Sequence, residues 1–370
     1  MFDSVNKTLK FNPNGKFRIL MLSDFHCGKH FDPRTKDGIE ALVSHTQPDF
    51  VMLGGDQCLG YSPDHLRQSL ADILEPIEKR NIPWAHVFGR EDHHLPMSVD
   101  EQEAIYESFH LCLSKTGPAG LQGICNYSLP VLASGSDEIA YNLFALDSNR
   151  DCKQYAQEFQ ISPEQNNMIL PENFGSGKND SMPFFSQVRW YYRVSRAMEA
   201  EAGHKIPAVL FTHNPIPEHN LVHMNPEECR MVGHMREWIN TSELNSGLFF
   251  ACLQRGDVRG IFAGHQHQNT FQGTYCGILL ACSGSVSYDT ETDDDLRGGR
   301  IIDLDEKTGR MESKYIPLME IMGAAAIKNP DNFKGGLKYF MRNSHMFDQA
   351  VPLKDKVYVK KSRPPAKPEA

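Results

Sequence analysis

The sequence predicts an α/β fold, because short apolar runs typical of strands alternate with amphipathic helical segments in the N-terminal third of the chain. Each of these apolar runs ends in a polar turn that contains glycine or aspartate. The chain has 370 residues, and its 40% hydrophobic content is enough to bury a large core. We expect one domain over residues 1–325, followed by a C-terminal extension, 326–370, with a disordered, basic, proline-rich tail.

The chain begins with a predicted βαβαβ arrangement. The three predicted strands are 17–22, 49–54 and 83–89. In the first connecting segment, Ile39, Leu42 and Val43 lie at helical spacing. In the second, Ser62 and Pro63 occupy the N-cap and first-turn positions of a helix. This alternation predicts parallel, buried strands, and ligands bind such sheets beyond the carboxyl ends of the strands.

The rest of the chain is predicted to contain two antiparallel strands, one long helix and a further set of strands. These are strands 125–131 and 139–148, the helix 186–203, and strands 207–212, 258–264, 270–275, 277–284 and 299–304. The connection 213–257 is expected to contain short helices and to form the rim of the site.

The charge distribution argues against a nucleic-acid groove. The net charge is -9, and the first basic block is KKSRPP near the C-terminus. The N-terminus lacks the layout of a secretory signal, and no apolar run reaches membrane-spanning length. Nine cysteines without CxxC spacing are typical of reduced thiols. These features predict a cytoplasmic protein with a small-molecule partner and no membrane partner, and they leave the oligomeric state open.

Side chains that commonly ligate metals follow several predicted strands directly. They are Asp24, His26, Asp56, His213, His265 and His267. The Asp-x-His and His-x-His spacings let two side chains of an extended turn project to one side. Carboxylate and imidazole together suit Zn, Mn or Fe, whereas calcium prefers oxygen ligands alone. Two such cations roughly 3.5–4 Å apart can clamp a phosphoryl group and activate a water molecule.

A single histidine at a strand end is more often a hydrogen-bonded structural residue than a ligand. We assign His45, His65, His86 and His110, which lie away from the predicted strand ends, to that structural class. The joint pattern at several strand ends favours a metal site. A serine hydrolase is rejected, because the GxSxG motif is absent.

The stretches SDFH, GGDQ, THNP and GHQH resemble four of the five motifs of the calcineurin-like metallophosphoesterases, in the family's order. The resemblance covers roughly residues 17–305, and SQVRW is similar to a Gln-x-x-Trp helix of that family. It implies a four-layer α/β/β/α sandwich of two mixed sheets flanked by helices. It also implies hydrolysis of a phosphate monoester or diester, in which a hydroxide that bridges two metals attacks phosphorus.

The resemblance also implies the role of each ligand. Asp24, His26 and His267 would hold the first metal, Asp56 would bridge, and His213 and His265 would hold the second. The purple acid branch of the family has glycine at the place of His26 and an iron-binding tyrosine at the place of Leu59. This chain has neither of those residues, which argues against the purple Fe(III) type of centre. We therefore expect two divalent cations chosen from Mn, Fe and Zn, with Mn favoured, and a small phosphorylated substrate.

The remaining motif departs from the family pattern. Where that pattern reads Gly-Asn-His-Asp, this chain has Gly89-Arg90-Glu91-Asp92. In the family the Asn binds the second metal and the phosphate, the His protonates the leaving oxygen, and the acidic residue orients that His. Arginine offers only hydrogen-bond donors and cannot ligate a cation.

Three interpretations of this departure stay open. In the first, His93 or His94 acts as the acid, Glu91 replaces the missing ligand, Arg90 grips phosphate, and Asp92 orients its neighbours. In the second, the site is weakened but still binds metal and phosphate, which makes the chain a catalytically impaired pseudoenzyme. In the third, a recent or deliberate change has altered two positions of an otherwise intact enzyme.

Overall fold

The computed structural model describes residues 8–28, 32–59, 62–150, 181–242 and 244–328. The expected tail and most of the extension 326–370 lie outside these ranges, so that domain boundary stays a prediction. Within them the chain forms two β-sheets and several helices. The strands are β1 (Leu9–Lys10), β2 (Lys16–Leu22), β3 (Phe50–Leu53), β4 (Trp84–His86), β5 (Tyr127–Leu132), β6 (Ile139–Ala145), β7 (Ala208–Thr212), β8 (Val258–Ala263), β9 (Gln272–Tyr275), β10 (Ile278–Cys282), β11 (Gly298–Asp305) and β12 (Met311–Pro317).

The predicted helices are present, and two further helices were not predicted. The helices are α1 (Pro33–Thr46), α2 (Pro63–Glu78), α3 (Val99–Tyr106), α4 (Phe185–Ala202), α5 (His219–Met224), α6 (Leu248–Arg255) and α7 (Leu318–Met322), with short 3-10 helices at Asp92–His94 and Gly323–Ala326. The two that were not predicted are α3 and α7. The predicted start of α2 is confirmed, because the Ser62 hydroxyl accepts a hydrogen bond from the His65 N–H. No helix in the described ranges is long and apolar enough to cross a membrane.

Both sheets mix parallel and antiparallel strands. One has five strands in the order β12-β11-β2-β3-β4, and the other has seven in the order β1-β5-β6-β7-β8-β10-β9. The parallel pairing of β2, β3 and β4 and the antiparallel pairing of β5 with β6 are confirmed. Of the strands that the sequence did not predict, β12 alternates between exposed and half-buried residues and so lacks an apolar run.

Alternating residues of the seven-stranded sheet separate two hydrophobic clusters. Val209 and Phe211 of β7 pack with residues of β2, β3, α1 and α2, whereas Ala208 and Leu210 pack against α4 and α6. This two-residue period places the second sheet behind one face and helices behind the other. The predicted four-layer α/β/β/α sandwich is therefore confirmed.

Two strands that lead to the site are shorter than predicted. The run 49–54 is a strand only at Phe50–Leu53, and the run 83–89 only at Trp84–His86. The chain nevertheless stays bonded to its neighbours beyond these ends, because Gly54 donates to the Leu22 carbonyl and Val87 to the Leu53 carbonyl. The turns that carry the polar motifs are thus anchored directly to the five-stranded sheet.

Candidate metal centre

Both sheets contribute ligand-type side chains at the carboxyl ends of their strands. Asp24 and His26 follow β2, Asp56 follows β3, His213 follows β7, and His265 and His267 follow β8. All six fall into two compact groups, which are the groups that the family resemblance implies. The first group is Asp24, His26 and His267, and the second is Asp56, His213 and His265; in each group the candidate ligand atoms lie within 4.8 Å of one another.

Asp56 connects the two groups. Its Oδ2 atom lies 3.2 Å from Nε2 of His213 and 3.5 Å from Nε2 of His26. One carboxylate oxygen is therefore close to a histidine of each group. This is the position that a bridging ligand between two cations requires.

The donor atoms are spaced as ligands of a common cation would be. Nε2 of His26 lies 3.1 Å from Nε2 of His267, which in turn lies 3.3 Å from Oδ1 of Asp24. With metal–ligand bonds of about 2.0–2.2 Å, neighbouring ligand atoms stand about 3.0–3.6 Å apart. Nε2 of His213 is fully buried, and its 3.2 Å contact with Asp56 Oδ2 lacks regular hydrogen-bond geometry, while its Nδ1 lies 2.8 Å from the Gly54 carbonyl. These residues fit a pair of transition-metal cations.

Backbone strain is concentrated at these ligands. Asp24, His26, Asp56 and His265 have φ angles of 56°, 46°, 52° and 66°. Such left-handed conformations are uncommon outside glycine and cost about 1–2 kcal/mol each. Four of the six candidate ligands adopt them, which is expected where tight turns must aim side chains at one point.

The two groups attract positive charge strongly. Burial opposes ionisation of Asp24, but His26 and His267 lower its pKa well below the ordinary value. Burial likewise opposes ionisation of Asp56, but His213 lowers its pKa. Burial disfavours the charged histidines, yet the two carboxylates raise the pKa of His26 to about 9 and that of His213 to about 10. Without a metal, the centre therefore holds protons on these histidines.

Asp92 fixes the loop that carries Asp56. Its Oδ2 atom accepts the N–H groups of Asp56 and Gly89, both at 2.8 Å, and its Oδ1 accepts that of Gln57 at 3.2 Å. Burial and the Asp56 charge raise the pKa of Asp92 to about 6, although the Gly89 N–H lowers it. The Asp92 carboxylate was expected to orient neighbouring groups, and the groups it holds are backbone N–H groups.

The two departed positions lie next to Asp56. The Glu91 N–H donates to Asp56 Oδ1 at 2.7 Å, and Arg90, the residue before Glu91, is half-buried. The Glu91 carboxylate belongs to neither group of candidate ligand atoms. Its Oε2 lies 3.8 Å from Nδ1 of His94, and the two side chains are 39% and 32% exposed. The idea that Glu91 replaces the missing ligand therefore finds no support in this arrangement.

His93 and His94 occupy different environments. His93 is 7% exposed, and its Nε2 lies 2.9 Å from Oδ1 of Asp147, the residue two positions beyond β6. The second oxygen of Asp147 accepts the Ile124 N–H at 2.9 Å. Burial lowers the pKa of His93, but the Asp147 carboxylate more than offsets this and raises it. Of the two histidines proposed as the acid, only His93 has a buried carboxylate that would keep it protonated.

Sequence reasoning missed several supporting residues. The Ser23 hydroxyl donates to Asp24 Oδ2 at 2.6 Å, and its position directly before Asp24 is the only signal in the sequence. Glu237 accepts the Gln268 N–H at 2.7 Å and so anchors the connection 213–257 beside His267. That anchoring, together with α5 and α6, agrees with the expectation of a rim that contains short helices.

Gly89→Ala should disrupt the metal centre, because a Cβ at this position would overlap Oδ1 and N of Asp56. We expect the variant to bind less Mn²⁺ per chain than the unmodified protein and to lose about 1–3 kcal/mol of unfolding free energy. Elemental analysis after metal loading and thermal unfolding would measure both. Gly135→Ala is the control, because no atom lies within 4 Å of a Cβ added there. Equal metal content in both variants would contradict the geometry.

Metal affinity should rise with pH. At neutral pH a cation must displace protons from His26 and His213, whose pKa values are raised to about 9 and about 10. Each displaced proton should change the apparent affinity by about tenfold per pH unit below these values. Competition of Mn²⁺ against a fluorescent chelator at neutral and mildly alkaline pH would test this, with exposed His45→Gln as the control. An affinity independent of pH would count against these two histidines as ligands.

Comparison with known proteins agrees with this architecture. The sequence pattern of the calcineurin-like phosphoesterase family matches residues 17–269. An Arabidopsis thaliana protein named probable inactive purple acid phosphatase 14 is 26% identical over 322 residues, which are 78% of this chain and 74% of that protein. Phosphatase DCR2 of Saccharomyces cerevisiae is 23% identical over 295 residues, covering 73% of this chain and 47% of that protein.

A crystal structure of a dimetal phosphatase from Danio rerio has the same fold. The two structures superpose with a TM-score of 0.53 at 12% sequence identity, and the alignment covers 82% of this chain and 96% of the Danio rerio chain. The family pattern runs from β2 to just beyond His267 and so includes the turns that carry all six candidate ligands. The chain belongs to the calcineurin-like phosphoesterase family.

Proposed function

We propose that this chain is a metal- and phosphate-binding member of its family in which phosphoester hydrolysis is impaired. The observation that carries the proposal is the turn after β4, where Arg90 and Glu91 stand beside Asp56 in an otherwise complete set of candidate ligands. Arginine cannot ligate a cation, and the glutamate stands where the family has its proton-donating histidine. The Arabidopsis thaliana relatives named probable inactive purple acid phosphatases 14 and 28 support an impaired function over full hydrolysis.

The chain's own residues would hold two cations. Asp24, His26 and His267 would bind one, and His213 with His265 would bind the other, with Asp56 shared between them. Bound there, divalent cations supply Lewis acidity towards a phosphate ester. A mixed set of carboxylate and imidazole donors suits Mn, Fe and Zn, and we favour Mn.

The ligand we propose is a small phosphorylated molecule. The residue at position 90 is a half-buried arginine, and a guanidinium group has the planar donor geometry that suits bidentate binding of phosphate. The chain's net charge of -9 disfavours a nucleic-acid polyanion. We propose neither a nucleic acid nor a membrane as a partner.

Impairment would fall on protonation of the leaving group. The family's histidine at the place of Glu91 would donate that proton, and loss of such a donor typically slows a reaction by about 10²–10⁴. Substrate binding depends on different groups, namely the cations and Arg90. Binding and hydrolysis should therefore be separable in this chain.

A second candidate function is slow hydrolysis with His93 as the acid. The contact that favours it is the 2.9 Å pair between His93 Nε2 and Asp147 Oδ1, which is nearly fully buried. Because Asp147 holds Nε2, the proton would leave from Nδ1. The Asp147 carboxylate would keep His93 protonated at a higher pH than an ordinary histidine.

Restoring the family residues should restore catalysis. We expect Arg90→Asn combined with Glu91→His to raise the rate of hydrolysis of bis- and mono-p-nitrophenyl phosphate with Mn²⁺ by about 10²–10⁴. The control is Arg310→Asn with Glu312→His, which makes the same change of charge at two exposed positions of the sheet edge. Isothermal titration of inorganic phosphate would follow binding separately.

Two outcomes of this experiment would contradict the proposal. Rapid hydrolysis by the unmodified chain, with no gain in the double variant, would show that the departed turn is compatible with full activity. Failure of the unmodified, Mn-loaded chain to bind phosphate would reject the binding function.

Residual hydrolysis, where it is measurable, should depend on His93 and not on His94. His93→Gln should abolish it, whereas His94→Gln should change it little because that side chain is 32% exposed. Asp147→Asn removes the group that raises the pKa of His93, so the fall in rate on the alkaline side should move to lower pH. The pH profile of kcat checks this. Equal losses in both histidine variants, or an unmoved alkaline limb, would remove His93 from the reaction.

A further inference from the structure

A third group of ligand-type side chains lies outside the candidate metal centre. It consists of His86 on β4, Glu103 on α3 and Cys125 before β5, and we call it the buried cluster. His86 and Cys125 have no exposed surface, and Glu103 is 1% exposed. Sequence reasoning set His86 aside as a structural residue. Neither Glu103 nor Cys125 belongs to any motif discussed above.

The three side chains converge on one point. Nε2 of His86 lies 2.7 Å from Oε2 of Glu103, and the Cys125 thiol donates to the same oxygen at 3.0 Å. Sγ of Cys125 lies 3.6 Å from Nε2 of His86. At a tetrahedral zinc ion, with Zn–N of about 2.0–2.1 Å and Zn–S of about 2.3 Å, these two atoms would stand about 3.6 Å apart. Glu103 would need to withdraw by about half an ångström to make room for the same ion, and its two oxygens would then complete a distorted four-coordinate set.

One oxygen of the cluster lacks a partner. Oε1 of Glu103 is buried and accepts no hydrogen bond from any described residue. An unsatisfied buried carboxylate oxygen is costly, by about 1–3 kcal/mol or more. A cation held by both carboxylate oxygens, one imidazole nitrogen and one sulfur would satisfy this oxygen and have four ligand atoms. Nδ1 of His86 is likewise buried without a hydrogen-bond partner among the described residues.

Charge balance also favours a divalent cation. The Glu103 carboxylate and a Cys125 thiolate bring two negative charges, which one divalent cation neutralises inside the core. Without a cation, burial and the Glu103 charge raise the pKa of Cys125 well above its ordinary value, so the thiol keeps its proton. Cys125 also has a φ angle of 66°, the strained conformation shared by four candidate ligands of the main centre.

We propose that His86, Glu103 and Cys125 form a structural zinc site. On binding, Zn²⁺ takes Nε2, the carboxylate and Sγ as ligands, the thiol proton leaves to solvent, and the neutral imidazole carries its proton on Nδ1. The site would tie α3 to β4, the strand that leads to Gly89. It would also support Asp92, whose carbonyl accepts a hydrogen bond from Gln102 of α3 at 2.8 Å.

Sulfur ligation separates this site from the main centre, whose candidate ligands are oxygen and nitrogen only. The full-length protein should be stripped with a chelator and reloaded with Co²⁺, which gives a thiolate-to-cobalt charge-transfer band in the near ultraviolet when sulfur is a ligand. We expect the unmodified chain to show this band at one thiolate per chain, and Cys125→Ala to lose it. X-ray absorption of the zinc form should show one sulfur at about 2.3 Å.

Two cysteine controls complete the design. Cys252→Ala removes an equally buried thiol of α6, and Cys276→Ser removes the exposed thiol that could bind cobalt from solution. Both should keep the band. If Cys125→Ala does not fold, Glu103→Gln should weaken cobalt binding at the sulfur site, and the zinc absorption edge of the unmodified chain still decides.

The proposal is overturned if metal-loaded unmodified protein shows no sulfur ligation. It is equally overturned if the band persists in Cys125→Ala or disappears in Cys276→Ser. These outcomes do not depend on phosphate binding or hydrolysis, so failure of the zinc site and failure of the proposed function can be told apart.

Discussion

The contact on which the candidate metal centre depends is the one between the Asp92 carboxylate and the backbone N–H groups of Asp56 and Gly89. It joins the turn after β3 to the turn after β4 and leaves Asp56 free to face His26 and His213. Gly89 must be glycine because a side chain there would occupy the place of the Asp56 carboxylate.

Two motif positions, Gly89 and Asp92, match the family pattern. Gly89 lets the backbone of its turn come close to Asp56, and Asp92 holds backbone N–H groups. The two that depart from it, Arg90 and Glu91, lie where the family uses side chains. This division explains how the turn can keep its backbone architecture although the side chains at positions 90 and 91 differ from those of the family pattern.

The centre is held under strain that the surrounding structure must support. Four candidate ligands adopt left-handed backbone conformations, and each is close to hydrogen bonds that fix its turn. Asp24 N–H donates to the Gly55 carbonyl, and His26 N–H donates to the Asp56 carbonyl, so the turns after β2 and β3 continue to pair beyond the strands. The His265 N–H reaches the Asp24 carboxylate at 2.9 Å and joins the seven-stranded sheet to the five-stranded sheet. The two sheets are therefore cross-linked at the place where the cations would bind.

The strands and the candidate ligands of the metal centre can be predicted from local sequence signals. Contacts between side chains that are far apart in the sequence cannot. The candidate ligands could be found from the sequence because each follows an apolar run directly. A strand and the turn at its carboxyl end are encoded by a few adjacent residues, so their positions can be predicted locally. The pairing of His93 with Asp147 spans 54 positions and joins a 3-10 helix to the end of β6, which no local pattern encodes. The same holds for His86, Glu103 and Cys125, which come from a strand, a helix and a loop. The sequence around His86 gives no sign of a metal site, because only the fold brings Glu103 and Cys125 to it.

The charges at the departed turn bear on the proposed separation of phosphate binding from hydrolysis. Arg90 and Glu91 together bring no net charge, so they leave the overall charge of the centre as a neutral Asn–His pair would. Their charges are not equally effective, however, because the Glu91 carboxylate is 39% exposed and lies near His94, where solvent screens it. Arg90 is half-buried and directly precedes Glu91, whose N–H donates to Asp56, so solvent screens the Arg90 charge less than it screens the Glu91 charge. A guanidinium group near a phosphate would favour its binding, which agrees with our proposal that phosphate binding is kept while hydrolysis is impaired.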